Sequence, residues 1–268
     1  MPSEPPPTAS AAEENCPMPR LRLPRIVFFG RTAEEYARIW KLSLADLAGL
    51  RILDCPCGPA SFIGACHDAG IDAIGVDPMM AFTVEEMRRT GLKDIEDTMA
   101  AIESSDAGLA SSDPETWTAE KHQALEHFLV DFRRHGPGGD ADDGRYVAAS
   151  LPNLPFADQS FDMAFSAHLL FSYASVENGG LVESSKALDL AFHLDAVTEL
   201  ARVTRQELRL FPAVIMASDE GGPHPWVDPI RDRLQSLGFE VRMESSDYDE
   251  GLTTSNALLI ASRGAVED

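Results

Sequence analysis

Arg51-Ile52-Leu53-Asp54-Cys55-Pro56-Cys57-Gly58-Pro59-Ala60-Ser61-Phe62 is the stretch that decides how the chain is read. A short apolar run ends in an acid, a turn of proline and glycine follows, and helical spacing begins at Phe62, Ile63 and Cys66. That is a strand, a tight loop and a helix. Toward the C-terminus, Ala73-Ile74-Gly75-Val76-Asp77 repeats the apolar strand ending in an acid, and Pro78 opens the next helix where its missing N–H costs least. Two such units in about 30 residues predict a parallel sheet with right-handed crossovers. Toward the N-terminus, Thr32 predicts a helix cap, with Glu34 and Glu35 in the first turn and Tyr36, Ile39 and Trp40 beyond.

The alternation is interrupted over residues 94–145. Asp113-Pro114-Glu115 signals a helix start, and Trp117, Leu125, Phe128, Leu129 and Phe132 share one face, which predicts a helix to Arg134. Gly136 to Asp140 predicts a flexible acidic loop after it. An insertion of this length reads as a helical lid over the carboxyl edge of the sheet, its face with Trp117 and Phe128 closing over an organic ligand. Strands resume at Tyr146 to Ala148 and Phe161 to Ser166. An amphipathic helix with Leu188, Phe192, Val197 and Leu200 leads to a strand at Glu207 to Phe211. After a helix around Ile230 to Leu237, the runs Phe239 to Met243 and Ala257 to Ala261 predict an antiparallel hairpin at the sheet edge.

Composition narrows the function. A chain of 268 residues, 44% hydrophobic, carries enough apolar surface for one compact α/β domain, expected over residues 20–268. Residues 1–19 hold six of the 18 prolines and few large apolar side chains, and are expected to be a disordered tail. Forty-four acidic residues against 22 basic ones would repel a phosphate backbone, so nucleic acid is not an expected partner and small molecules are. No apolar run reaches the length of a membrane span, and the acidic, proline-rich start is unlike a signal peptide. The expected location is the cytoplasm. Three of the four cysteines crowd into residues 55–66 at spacings that fit neither a disulfide framework nor zinc, so reduced thiols and no metal are expected. Oligomeric state stays open.

The turn after Asp54 lies where a doubly wound sheet receives its ligand. A dinucleotide pyrophosphate needs several backbone N–H donors there; Pro56 and Pro59 each remove one, and only Gly58 of the expected glycines is present. A ligand with an amino acid moiety needs fewer donors, and the Asp54 carboxylate would face its ammonium directly or through water. S-adenosylmethionine is such a ligand. Asp77, ending the second strand, is placed to accept the ribose hydroxyls of either cofactor.

The segment Ser150-Leu151-Pro152-Asn153-Leu154-Pro155-Phe156, with its acidic turn and Phe161-Asp162, resembles the class I, Rossmann-like S-adenosylmethionine-dependent methyltransferases. The resemblance spans nearly everything after residue 30. It implies a doubly wound, mostly parallel seven-stranded sheet of order 3-2-1-4-5-7-6 with an antiparallel terminal strand. It also implies that Asp54, Cys55, Pro56 and Gly58 approach the methionine end of the cofactor, that Asp77 and Pro78 serve the ribose, and that Ser150 and Leu151 flank adenine. Ser166 would lie beside the methyl donor. A closer resemblance is to a bacterial branch marked by Asp54-Cys55-Pro56 with Gly58 and Ser61-Phe62, by His168-Leu169-Leu170-Phe171, and by Glu207-Leu208-Arg209-Leu210-Phe211-Pro212. This chain departs from the commoner pattern at Pro56 and Ala60, where glycines are usual, and at Ser150, where many relatives carry Asp.

Methyl transfer asks the protein to orient a nucleophile and exclude water. His168 and Tyr173, just past the fourth strand, are the candidates for binding or deprotonating the acceptor, and Tyr36 and Trp40 for covering the cofactor. The expected activity is methyl transfer to a small-molecule acceptor. A catalytically silent S-adenosylmethionine-binding module and an NAD-linked oxidoreductase are the alternatives.

Overall fold

The computed structural model describes residues 21–105, 113–183, 187–216, 218, 221–249 and 256–264; the expected tail lies outside them. Helix α1 (Ala33–Trp40) precedes strand β1 (Arg51–Asp54), which runs through the proline/glycine turn into helix α2 (Phe62–Asp68) and strand β2 (Asp72–Val76). Helices α3 (Val84–Ser104) and α4 (Pro114–His135) follow, then strands β3 (Tyr146–Val147) and β4 (Phe161–Ala167). Helix α5 (Leu190–Val203), strand β5 (Thr204–Phe211), helix α6 (Val227–Ser236) and strands β6 (Phe239–Ser245) and β7 (Ala257–Arg263) complete the order.

The sheet runs β3-β2-β1-β4-β5-β7-β6, the order the resemblance implied. Strands β1 to β5 pair in parallel, while β7 is antiparallel to both β5 and β6. The expected hairpin is therefore present, with β7 inserted between β5 and β6 so that β6 forms the edge. Alternation sets the two faces. Ile52, Phe165, Leu258 and Ile260 join a core with Tyr36, Ile39 and Trp40 of α1 and Ile63 of α2, whereas Leu53, Ala164, Leu259 and Ala261 pack with Val197 and Leu200 of α5 and Ile230 of α6.

Local chemistry explains the element ends. Thr32 Oγ1 accepts the Glu35 amide at 3.1 Å and the Glu35 carboxylate accepts the Thr32 amide at 2.7 Å, a reciprocal cap that contributes about 1 kcal/mol to α1. Asp162, the acid of the Phe-Asp signature, is buried at the opposite end of the sheet from the turn. It accepts the Arg51 amide at 2.9 Å, the Arg205 guanidinium at 2.8 Å and the Gln206 side chain at 2.9 Å. That acid serves the sheet. Arg209, from the fifth-strand signature, donates to the Trp40 carbonyl and pairs with Glu207 at 2.7 Å, fastening α1 to β5.

The inserted region differs from expectation in three ways. Residue 94 is interior to α3, where Asp94 is buried and accepts the Phe28 amide at 2.7 Å and the Arg25 guanidinium. Phe128 does not face a ligand: it packs on Phe28 and Tyr146 in the core. The acidic loop is hydrogen-bonded rather than loose, since Asp142 accepts the Gly138 and Gly144 amides and the Arg145 guanidinium beside Asp143 pulls that carboxyl down to about 2. Among the described residues no helix is long and apolar enough to cross a membrane.

Candidate functional site

The carboxyl ends of β1, β2 and β4 open into a cavity of about 440 Å³, at the point where strand order reverses between β1 and β4. Its wall comes from the turn after β1, the Asp77-Pro78-Met79 segment after β2, Ser150 and Leu151 after β3, and Ala167 to Leu169 at the end of β4. Among the described residues no group of three His, Cys, Asp or Glu side chains is arranged to hold a metal.

The turn after β1 is closed by its own backbone. The Cys55 amide donates to Phe165 O at 2.9 Å, Cys57 to Val76 O at 3.0 Å, Gly58 to Asp77 Oδ2 at 3.3 Å, Ala60 to Cys57 O at 3.3 Å and Ser61 to Arg31 O at 3.1 Å. Every amide N–H from Cys55 to Ser61 is thus engaged within the chain, and Pro56 and Pro59 have none to give. Gly58 takes a left-handed φ of 50°, which a glycine adopts without strain. Gly75 is needed for a different reason: a Cβ there would stand 2.9 Å from Cys57 Sγ. Cys55, Cys57 and Cys66 are buried free thiols that fill this packing, and burial pushes Cys66 up to about 12.

The two strand-end acids occupy different environments. Asp77 lines the cavity; its Oδ1 accepts the Met79 amide at 2.8 Å and its Oδ2 the Gly58 amide, so each oxygen keeps further acceptor capacity. Burial raises its pKa to about 6, against the pull of the Met79 and Gly58 amides. Asp54 does not line the cavity. It is fully buried behind Tyr36, whose hydroxyl donates to Asp54 Oδ2 at 3.0 Å, while Oδ1 has no hydrogen-bond partner among the described residues. Burial, despite the Tyr36 hydrogen bond, holds its pKa well above the carboxylate range.

Cys55, Pro56, Gly58, Asp77, Pro78, Ser150, Leu151 and Tyr36 are brought together on one wall. Besides Asp54, two sequence-predicted residues are not. Trp40 is buried flat against Phe165, with ring centroids 4.8 Å apart, one layer behind the wall, because the i, i+4 pair Tyr36 and Trp40 places only the first ring at the cavity. Ser166 is likewise buried and is not among the residues that line the cavity.

His168 and Tyr173 both line the cavity. His168 has a left-handed φ of 55° and its amide donates to Phe211 O at 2.7 Å, continuing the β4–β5 ladder into the loop. Burial, then the cations Arg31 and Lys121, hold its imidazole well below the ordinary histidine range, so the ring is neutral near pH 7. Tyr173 accepts the Val27 amide at 3.4 Å, and burial raises its hydroxyl to about 12. The loop between them is held by His193. Its Nε2 accepts the Phe171 amide at 3.0 Å and its Nδ1 donates to Asp189 O at 2.8 Å, which makes it a fixed neutral support.

Of the opposite wall, sequence reasoning named only Trp117, from the face that the insertion was expected to close over a ligand. The segment Leu21 to Arg31 lines the cavity together with Thr98 and Ile102 of α3 and Trp117 of α4. It is pinned by Leu23 N to Leu181 O at 2.7 Å and by the Arg25–Asp94 pair. Behind it, Glu35 and Lys121 form an ion pair with both side chains fully buried, and the Tyr248 hydroxyl donates to Glu35 Oε1 at 2.9 Å. Burial pushes the Glu35 carboxyl up, but Lys121 and Arg31 outweigh it and its pKa lies below the ordinary range. The Thr32–Glu35 cap was visible in sequence; that its acid is also a buried partner of α4 was not.

No family model matches the chain, and no curated protein matches its sequence. Among solved structures the chain is similar to the magnesium protoporphyrin IX methyltransferase of Synechocystis PCC 6803 with bound S-adenosylmethionine, at 16% identity, covering 87% of this chain and 80% of that one, with a TM-score of 0.44. It is similar to an S-adenosylmethionine-dependent methyltransferase from Mesorhizobium loti at 16% identity, over 86% of this chain and 98% of that one, with a TM-score of 0.43. A third, from Methanosarcina mazei, is 16% identical over 80% of this chain and 92% of its own, with a TM-score of 0.41.

Proposed function

We propose that the protein is an S-adenosylmethionine-dependent methyltransferase acting on a small-molecule acceptor. The observation that carries this reading is the combination of a turn whose amides are all internally bonded with a cavity-facing Asp77 carboxylate. Such a site suits a ligand gripped by its ribose hydroxyls and offers a pyrophosphate little.

The residues present fit that cofactor. Asp77 would accept from the ribose, beside Pro78; Ser150 and Leu151 would flank the adenine; Cys55, Pro56, Gly58 and Tyr36 would surround the amino acid end. Asp54 acts through Tyr36: because the phenol donates to Asp54, its oxygen is left to accept from an ammonium group. Trp40 and Ser166 back this wall. When bound, the cofactor supplies an electrophilic methyl group on a sulfonium centre. The chain itself orients the acceptor and excludes water, which is where most of the rate comes from in such a displacement. His168, held neutral, can accept a hydrogen bond from the acceptor and orient it, and Tyr173 can bind it by hydrogen bonding.

Calorimetric titration with S-adenosylmethionine, S-adenosylhomocysteine and NAD tests the reading. The first two should bind in the micromolar range and NAD should not; preferential NAD binding would overturn it. A binding module without turnover is the second reading, favoured by the sealing of Asp54 behind Tyr36. It predicts cofactor binding with no S-adenosylhomocysteine formed in the presence of cell extract.

A further inference from the structure

Beyond the cofactor wall the cavity changes character. Leu23, Ile102, Leu181, Leu188 and Met216 make its inner lining apolar. The charged groups around this space are already engaged. Asp77, the one carboxylate among the described lining residues, belongs to the cofactor wall, and Arg25 is held by Asp94. Arg31 acts on the Glu35 carboxylate and the Tyr248 hydroxyl, and Lys121 is paired with the same carboxylate. A charged ligand would therefore lose its hydration here without gaining a counter-ion of its own.

Two neutral hydroxyls are differently placed. Thr98 is 3% exposed and Ser172 2%; both residues line the cavity, and neither hydroxyl has a hydrogen-bond partner among the described residues. Their backbones are fixed. Asp94, Thr98 and Ile102 follow one another at single-turn spacing on α3, where Asp94 accepts the Phe28 amide at 2.7 Å and the other two line the cavity. A helical threonine can give its hydroxyl to the carbonyl one turn back, and Thr98 makes no such bond. The Ser172 amide donates to Leu170 O and its carbonyl accepts the Leu181 amide, both at 2.8 Å, so only its side chain is left unmatched.

Buried polar groups are ordinarily hydrogen-bonded, so two unmatched hydroxyls on one apolar cavity point to a ligand that completes them. A hydroxyl donates and accepts without carrying charge, and another hydroxyl answers it on both counts. We infer that the inner cavity receives an uncharged, largely apolar alcohol or phenol, its hydroxyl group held by Thr98 and Ser172. That this molecule is the methyl acceptor rests on the function proposed above; that it binds does not.

The full chain is titrated at neutral pH with 2-naphthol, naphthalene, 2-naphthoate and 2-naphthylmethylamine, with and without saturating S-adenosylhomocysteine. The series is repeated for Thr98→Val, Ser172→Ala and the double variant. In the unaltered protein 2-naphthol should bind about tenfold more tightly than naphthalene, and each charged probe at least about tenfold more weakly than 2-naphthol. Each single variant should lose part of the preference for 2-naphthol over naphthalene and the double variant all of it, with naphthalene affinity retained. Equal binding of 2-naphthol and naphthalene, a charged probe bound as tightly as 2-naphthol, no binding of any probe, or a preference that survives the double variant would each overturn the inference. If the double variant fails to fold, the selectivity of the unaltered protein and of the single variants decides. Absence of S-adenosylhomocysteine binding would sink the cofactor reading instead, and the titrations made without it still report on the inner site.

Discussion

The two walls of the cavity are built by different means. The wall formed by the turn after β1 and by Asp77 is held by backbone amides that donate within the turn, to adjacent strands, to the Asp77 carboxylate and to Arg31 O. The facing wall is stitched by side chains far apart in sequence: Lys121 to Glu35 across 86 positions, Tyr248 to Glu35 across 213, Tyr173 to Val27 across 146. A wall made of strand ends and tight turns resists change at any one side chain. A wall made of buried polar pairs depends on each partner, because removing one leaves the other desolvated and unmatched.

The largest effect should therefore come from Lys121→Met. Glu35 would remain buried without its cation, and unfolding by denaturant should show a loss of about 3–5 kcal/mol. Adding Glu35→Gln should recover most of that loss, since both charges are then gone; a single variant as stable as the unaltered protein would mean the pair does not hold the wall. His168→Asn comes next. Asparagine tolerates the left-handed backbone at this position, so the variant isolates the imidazole. Turnover should fall by roughly a hundredfold, about 3 kcal/mol, with S-adenosylhomocysteine affinity retained. Equal losses in binding and turnover would make His168 part of the scaffold. Gly30→Ala strikes where the two walls meet, because a Cβ there would lie 2.2 Å from Pro59 O. Backbone has to give way, and a destabilisation of about 2 kcal/mol with weakened cofactor binding is expected. An unchanged melting temperature would show that the walls move independently.

The same division explains what the sequence allowed to be read. Asp54, Gly58 and Asp77 announce their positions because a strand end, a proline/glycine turn and a helix start are local events with local signals. The terminal hairpin was legible for the same reason, although the insertion of β7 between β5 and β6 was not readable from pattern and came from the resemblance. Glu35 looked like an ordinary first-turn acid, since only tertiary packing brings Lys121 against it. Trp40 followed Tyr36 at helical spacing, and one turn of helix was enough to carry it from the cavity to the core. Phe128 failed likewise: its apolar face was identified correctly, and what that face met was not. Arg31 offered no signal at all, because a single arginine before a helix cap is unremarkable until rings close around it.

The smallest expected effect, about tenfold in ligand affinity, is the most diagnostic of the backbone-built wall. Burial raises the Asp77 pKa from 3.8 to about 6, so between those values the folded state holds a proton that the unfolded chain releases. Its contribution to stability is fully present below pH 3.8 and is lost as pH rises through about 6. The span of that loss is at most about 3 kcal/mol, at roughly 1.4 kcal/mol per pH unit. Asp77→Asn should remove that slope. Ligand binding should run the opposite way. Ribose hydroxyls donate to the charged carboxylate, so S-adenosylhomocysteine should bind about tenfold more weakly at pH 5 than at pH 7 and level off above. In Asp77→Asn that dependence should vanish, leaving affinity lower by about 1–2 kcal/mol at neutral pH. A pH dependence that persists in the variant would assign the titration, and with it the ribose contact, to another group on this wall.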